Sequence, residues 1–248
     1  MKINQRGIAA LEHRTLQEFV QGVVTQHIAA HPRAAQRLGT GPVHEAVSRG
    51  VRLAQRYGID ERSPLTTFLR IQMYLGARFD CDPMMGWAQQ ALVTPGRSGL
   101  QSVRVNALRK AALAYLDAAC GADGAYLRQF LVSVQAVGDP SRTPQDIFAF
   151  FGESYPAKST HAGPKATWAM IEDSAALCRD AGLDAPQALF TICTLRMAFG
   201  HGVTNDPMFP WVAETVRDPL RGADRAGRLW SGLQDHIAWV LAPELVPA

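Results

Sequence analysis

Asp82-Pro83-Met84-Met85-Gly86-Trp87 is answered 124 residues later by Asp206-Pro207-Met208-Phe209-Pro210-Trp211. The correspondence extends outward without a gap, so that residues 32–124 can be laid over residues 156–248. Identical pairs upstream of it are Pro32/Pro156, Gly39/Gly163, Leu53/Leu177, Gly58/Gly182, Asp60/Asp184, Leu65/Leu189, Met73/Met197 and Gly76/Gly200, and Pro95/Pro219 lies downstream. Gly, Pro, Asp and Trp carry most of the identities. These residues punctuate helices or anchor cores, so the pattern predicts one supersecondary unit built twice. The shared set holds no His, Cys, Glu or Lys, and a catalytic group repeated in both halves is therefore not expected.

Apolar residues recur at the helical period along nearly the whole chain and never alternate strictly over a useful length, which predicts an all-α fold of two similar helical lobes from an internal tandem duplication. In the first helix Ile8, Leu11, Phe19, Val20, Val23, Val24 and Ile28 mark one face, and Pro32 ends it. A second helix carries Val43, Val47, Val51 and Leu53, with Gly58 as its C-cap. The third begins near Asp60 to Pro64 and stops at Gly76; Asp82 and Pro83 are then the natural N-cap and first residue of a short helix bearing Trp87. A longer helix from about Leu100 to Ala119 closes the half. The second half replays this order, with Asp184-Ala-Pro-Gln187 in the form of a capping box, Gly182 and Gly200 as helix stops, Asp206-Pro207 before Trp211, and a last helix through Leu229, Leu233, Ile237 and Leu241. Residues 125–155 do not match residues 1–31, and Gly138 to Pro144 reads as a linker. The expected lobes are 1–124 and 125–248, with the boundary inside 119–144.

The 248 residues suffice for one large core or two small ones, and 47% hydrophobic with 19% charged residues excludes a disordered chain. A net charge of +3 with no block of like charge makes nucleic acid an unexpected partner. Cys81, Cys120, Cys178 and Cys193 form no C-x-x-C pair, which argues against a zinc or redox motif; Cys178 and Cys193 lie in apolar helical stretches and read as small core residues. A reducing cytoplasm fits this usage, and neither a signal peptide nor a membrane-spanning run is read from the sequence.

Motifs for chemistry are missing. Asp80, Asp82, His201 and Asp206 fall in equivalent loops and could be imagined as metal ligands, but Asp82 and Asp206 are explained as caps and Asp80 faces Thr204 in the overlay. His27 and His31, four apart, lack a third ligand and read as a helix edge. No nucleophile elbow, Walker loop or dinucleotide fingerprint occurs. The expectation is thus no catalytic residue, no metal and no cofactor. Trp87 and Trp211 are read as core anchors; Trp168, Trp230 and Trp239 have no Trp counterpart and suit a lobe interface or a partner surface. Positions where the halves disagree, Arg78/Gly202, Phe79/Val203, Ala77/His201 and His44/Trp168, are the candidate partner-binding residues, because a binding face need not be duplicated when a scaffold is.

Ala54-Gln-Arg-Tyr-Gly-Ile59, the helix from Phe68 to Gly76, Arg78-Phe79-Asp80-Cys81-Asp82-Pro83 and Trp87-Ala88 together resemble small helical proteins encoded beside type VI secretion spike and effector genes. The likeness runs from Pro32 to Ala88 and its motifs are structural; the second half departs from it at Ala181-Gly-Leu183 and Val203-Thr-Asn-Asp-Pro207. The resemblance implies a non-enzymatic cytoplasmic accessory protein, an effector adaptor or chaperone or an immunity protein, whose partner is a secreted effector or spike component. It supplies no catalytic residue. A helical enzyme of undetermined chemistry and a general helical scaffold are the alternatives.

Overall fold

Helical periodicity becomes helix throughout the described residues of this computed structural model, which are 5–93, 100–218 and 223–242, with side chains described from residue 14 onward and again outside 223. The pair Pro95/Pro219 and the side chains of Ile8 and Leu11 lie outside them. Thirteen α-helices are formed among these residues: α1 (Gln5–Ala30), α2 (Pro32–Leu38), α3 (Thr40–Arg56), α4 (Arg62–Leu75), α5 (Gly86–Val93), α6 (Gln101–Cys120), α7 (Ala125–Gln135), α8 (Pro144–Ser154), α9 (Pro156–Ala162), α10 (Pro164–Asp180), α11 (Pro186–Phe199), α12 (Pro210–Arg217) and α13 (Ala223–Leu241). Short 3-10 turns occupy Phe79–Cys81, Pro83–Met85, Ala122–Gly124 and Val203–Asn205. No strand occurs among the described residues.

The helix ends follow from the residues that stop them. Gly58 takes φ 62 after α3, where its N–H donates to the Gln55 carbonyl and the Ile59 N–H to that of Ala54. That is the Schellman arrangement, and it recurs after α10 with Gly182 at φ 65, its N–H on Arg179 and the Leu183 N–H on Cys178. Arginines from the later helices complete both ends. Arg104 of α6 donates to the Tyr57 and Gly58 carbonyls, and Arg225 of α13 donates to the Ala181 carbonyl, placing a cation at the negative end of each helix dipole. Pro32 does not merely end α1; it is the first residue of α2. Asp184 does not form the expected capping box. Ala185 is the N-cap of α11 and no side chain caps it; the box is instead made by Thr143 and Asp146 at the start of α8.

Two clusters of buried apolar side chains are present. One joins α1, α3, α4, α5 and α6 around Val47, Phe68, Leu69, Phe79 and Leu108; the other joins α7, α8, α10, α11, α12 and α13 around Phe130, Phe151, Phe190, Leu195 and Leu229. Helix α11 is buried on nearly every face, from Phe190 to Met197, as expected of a central helix. Because α7 contributes Phe130, Leu131 and Val134 to the second cluster, the segment read as a linker connects two helices of that cluster. Trp87 and Trp211, read as buried anchors, are half-buried and pack on the edges of the two clusters. Cys178 and Cys193 are buried core residues, and all four cysteines are free thiols.

Candidate functional site

The Asp-Pro loops meet at the contact between the clusters and bind each other reciprocally. Asp82 accepts from the Met84 N–H at 2.8 Å and, through its other oxygen, from the His201 N–H at 3.1 Å. Asp206 accepts from the Met208 N–H at 2.9 Å and from the Ala77 N–H at 2.9 Å. Each carboxylate therefore caps its own turn and holds the backbone just after the glycine that ends the opposite helix. Gly76 and Gly200 make that approach possible: a Cβ on Gly76 would stand 2.5 Å from the Phe199 carbonyl oxygen, and one on Gly200 would stand 2.6 Å from that of Leu75. Burial raises the Asp206 pKa against its two backbone donors and Arg49. The methionines after these loops are exchanged. Met84 is buried in the second cluster, and Met208 packs against the first.

The imagined metal ligands are thus committed to hydrogen bonds. Asp80 accepts from the Tyr57 hydroxyl at 2.8 Å, and burial together with that carboxylate pushes the Tyr57 pKa up to about 12. Among the described residues no group of three or more His, Cys, Asp or Glu side chains could hold a metal ion. His27 and His31 lie with ring centroids 4.7 Å apart, and burial, then the neighbouring His31, lowers the His27 pKa.

Beside the clasp lies a depression of about 600 Å³ walled by Asp173, Leu177 and Asp180 of α10, Arg196 of α11, Val216 and Arg217 of α12, and Arg78 and His201 from the two loops. Arg196 is buried, its Nη1 donating to Ser174 Oγ at 3.0 Å while the serine hydroxyl donates to the Met170 carbonyl at 2.7 Å. Its Nε and the His201 Nδ1 are both buried without a hydrogen-bond partner. Burial and then the Arg196 cation hold the His201 pKa below its ordinary value, against the pull of Asp82; burial likewise lowers that of Arg196. The imidazole is therefore neutral near pH 7. Arg78, exposed at the rim, is one of two non-glycine residues with positive φ among the described residues, at 60°.

Of the expected partner-binding residues, the structure brings Arg78 and His201 together at this depression and leaves the others elsewhere. His201 is only 7% exposed, so it forms part of the floor and not of an open face. Phe79 is fully buried against Phe68 in the first cluster, which removes it from any surface. Trp168 is half-buried and stacked on Phe148, with centroids 4.9 Å apart. His44 is exposed on α3. Trp239 lies near the end of α13 with Arg33 and Arg37 of α2 over its ring at 4.9 and 4.7 Å. Trp230 packs on the second cluster beside Phe190. Sequence reading missed three buried cations: Lys158, whose ammonium donates to the Met197 carbonyl at 2.7 Å and whose pKa burial lowers, Arg225, which donates to the Asp218 and Ala181 carbonyls, and Arg196. The available signal was a charge inside an apolar helical run, Leu195-Arg196-Met197.

No family model, curated protein or solved structure matches this chain. No described helix is long and apolar enough to cross a membrane.

Proposed function

We propose that the chain is a tandem duplication of one helical unit and serves as a non-enzymatic, protein-binding accessory protein in the cytoplasm, an adaptor or chaperone for a secreted effector or an immunity protein of a type VI secretion locus. The duplication is supported by element bounds that repeat at the same 124-residue interval: α2 with α9, α4 with α11, the turn Phe79–Cys81 with Val203–Asn205, and α5 with α12. The observation that carries the binding-protein reading is the reciprocal clasp. The carboxylates repeated in both loops accept backbone donors with both oxygens, so the duplicated polar residues build a scaffold, and binding is left to those differing residues that are exposed. Arg78 and His44 are such exposed residues.

Pull-down and co-purification against the products of neighbouring genes test the reading. A specific complex is expected, and Arg78→Glu is expected to weaken it roughly tenfold, or about 1.4 kcal/mol, with melting unchanged. The helical-enzyme alternative is favoured by the depression holding Arg196 and His201, and it takes over if no neighbour is retained while the pure protein turns over a small molecule.

A further inference from the structure

The two halves provide an internal control for the depression beside the clasp. Its cationic and imidazole groups are Arg78, Arg196, His201 and Arg217; the residues at the 124-shifted positions are Gly202, Gln72, Ala77 and Val93. None of those four ionises. The acidic wall residues Asp173 and Asp180 are answered by exposed Arg49 and Arg56, so the fold at this place forms without a buried cation, Gln72 being buried in α4 as Arg196 is in α11. Placing a guanidinium there is costly in itself, since a buried cation loses hydration that a single serine hydroxyl does not restore. Two of the groups, Arg196 and His201, are 5% and 7% exposed, line the cavity, and each keeps a buried nitrogen unpartnered. Arg78 joins them from a left-handed backbone conformation that L residues other than Asn and Asp seldom adopt.

We propose that this depression binds a carboxylate-bearing ligand. Guanidinium groups offer planar, paired donors that match a carboxylate, and a neutral imidazole adds one more N–H. Asp173 and Asp180 on the α10 wall set the charge that is tolerated: they repel a doubly charged phosphate more than a carboxylate, and they can accept an ammonium carried by the same ligand. The site does not depend on the protein-binding reading. The carboxylate can belong to a free small molecule or to an acidic side chain of a protein segment.

Isothermal titration of the full chain with propionate, with the blocked tripeptide N-acetyl-Ala-Asp-Ala-amide, and with inorganic phosphate tests the assignment in wild type, Arg196→Gln and Arg78→Gly. Both variants install what the other half already carries, and glycine accepts the backbone angles of position 78. Saturable binding of propionate or the tripeptide, weakened at least tenfold in both variants, is expected; the tighter of the two tells a free carboxylate from a protein-borne one. If Arg196→Gln does not fold, the Arg78→Gly comparison decides alone. No saturable carboxylate binding, equal affinity in the variants, or phosphate bound as tightly as the carboxylates overturns the proposal.

Discussion

At the residue scale, glycine explains more of this molecule than any charged group does. Gly76 and Gly200 sit at φ 88 and 97, and their missing side chains admit carbonyl oxygens of the opposite helix end. Either substitution, Gly76→Ala or Gly200→Ala, adds backbone strain and a collision with main chain that cannot rotate away, so each is expected to destabilise by at least about 2 kcal/mol. Thermal melting of both variants checks this; wild-type melting in either would mean that the close approach of the two loops is not real. These glycines were legible in the sequence because they repeat. The same holds for Gly58 and Gly182. Arg196 and Lys158 were not legible, because each is opposite an uncharged residue in the overlay, Gln72 and Ala34, and burial of a long cation depends on partners from distant helices. Phe79 and His201 are expected at a surface because the halves disagree there, but the disagreement reflects different side chains filling buried space, Phe79 against Phe68 and His201 beside Arg196.

At the scale of elements, α13 packs into the second cluster, reaches α2 through Trp239, and acquires a pH dependence. Its His236 is ringed by Phe199, Phe209, Trp211 and Trp239, with centroids 5.1, 5.2, 6.4 and 5.6 Å away. Burial, reinforced by Arg37, lowers its pKa from 6.5 to about 4. The folded state thus favours the neutral ring, while the unfolded chain takes up a proton as pH falls below 6.5. The stabilisation associated with the neutral ring is therefore fully present above that pH, is lost as pH falls toward about 4, and amounts to about 3 kcal/mol across the window. Half-buried His27 and buried His201, lowered in the same direction, add losses of the same sign. His236→Phe should flatten the part of the profile that belongs to this site. Denaturant unfolding of both proteins at pH 7.5, 5 and 4 measures the difference, and parallel losses in the two would show that His236 does not carry the effect. Helix positions, caps and apolar faces were readable from periodicity and punctuation; this aromatic cage was not, since its members come from α11, the loop before α12, α12 itself and α13.

At the scale of the whole molecule, the sequence overlay suggests two lobes that could stand alone, and the packing argues against it. Met84 is buried among side chains of the second cluster, Met208 leans on the first, and Tyr115 of α6 meets His161 of α9 at 5.2 Å while Trp239 of α13 lies under Arg33 and Arg37 of α2. Arg33 also donates to the Trp239 and Ala242 carbonyls at the end of α13. Separation would expose both methionines and both aromatic rings and would leave the His201 and Ala77 amide donors without their carboxylates. Losing a buried side chain of this size typically costs about 2–5 kcal/mol, which is comparable to the whole stability of many domains of 124 residues. Fragments 1–124 and 125–248, expressed separately, are therefore expected to unfold at lower temperature than the intact chain, or without cooperativity, and to regain a cooperative transition when mixed. Circular dichroism melts of each fragment and of the mixture provide the measurement. A single fragment that melts as sharply and as high as the whole chain would establish that the exchanged side chains are ornamental and that each half carries its own stability.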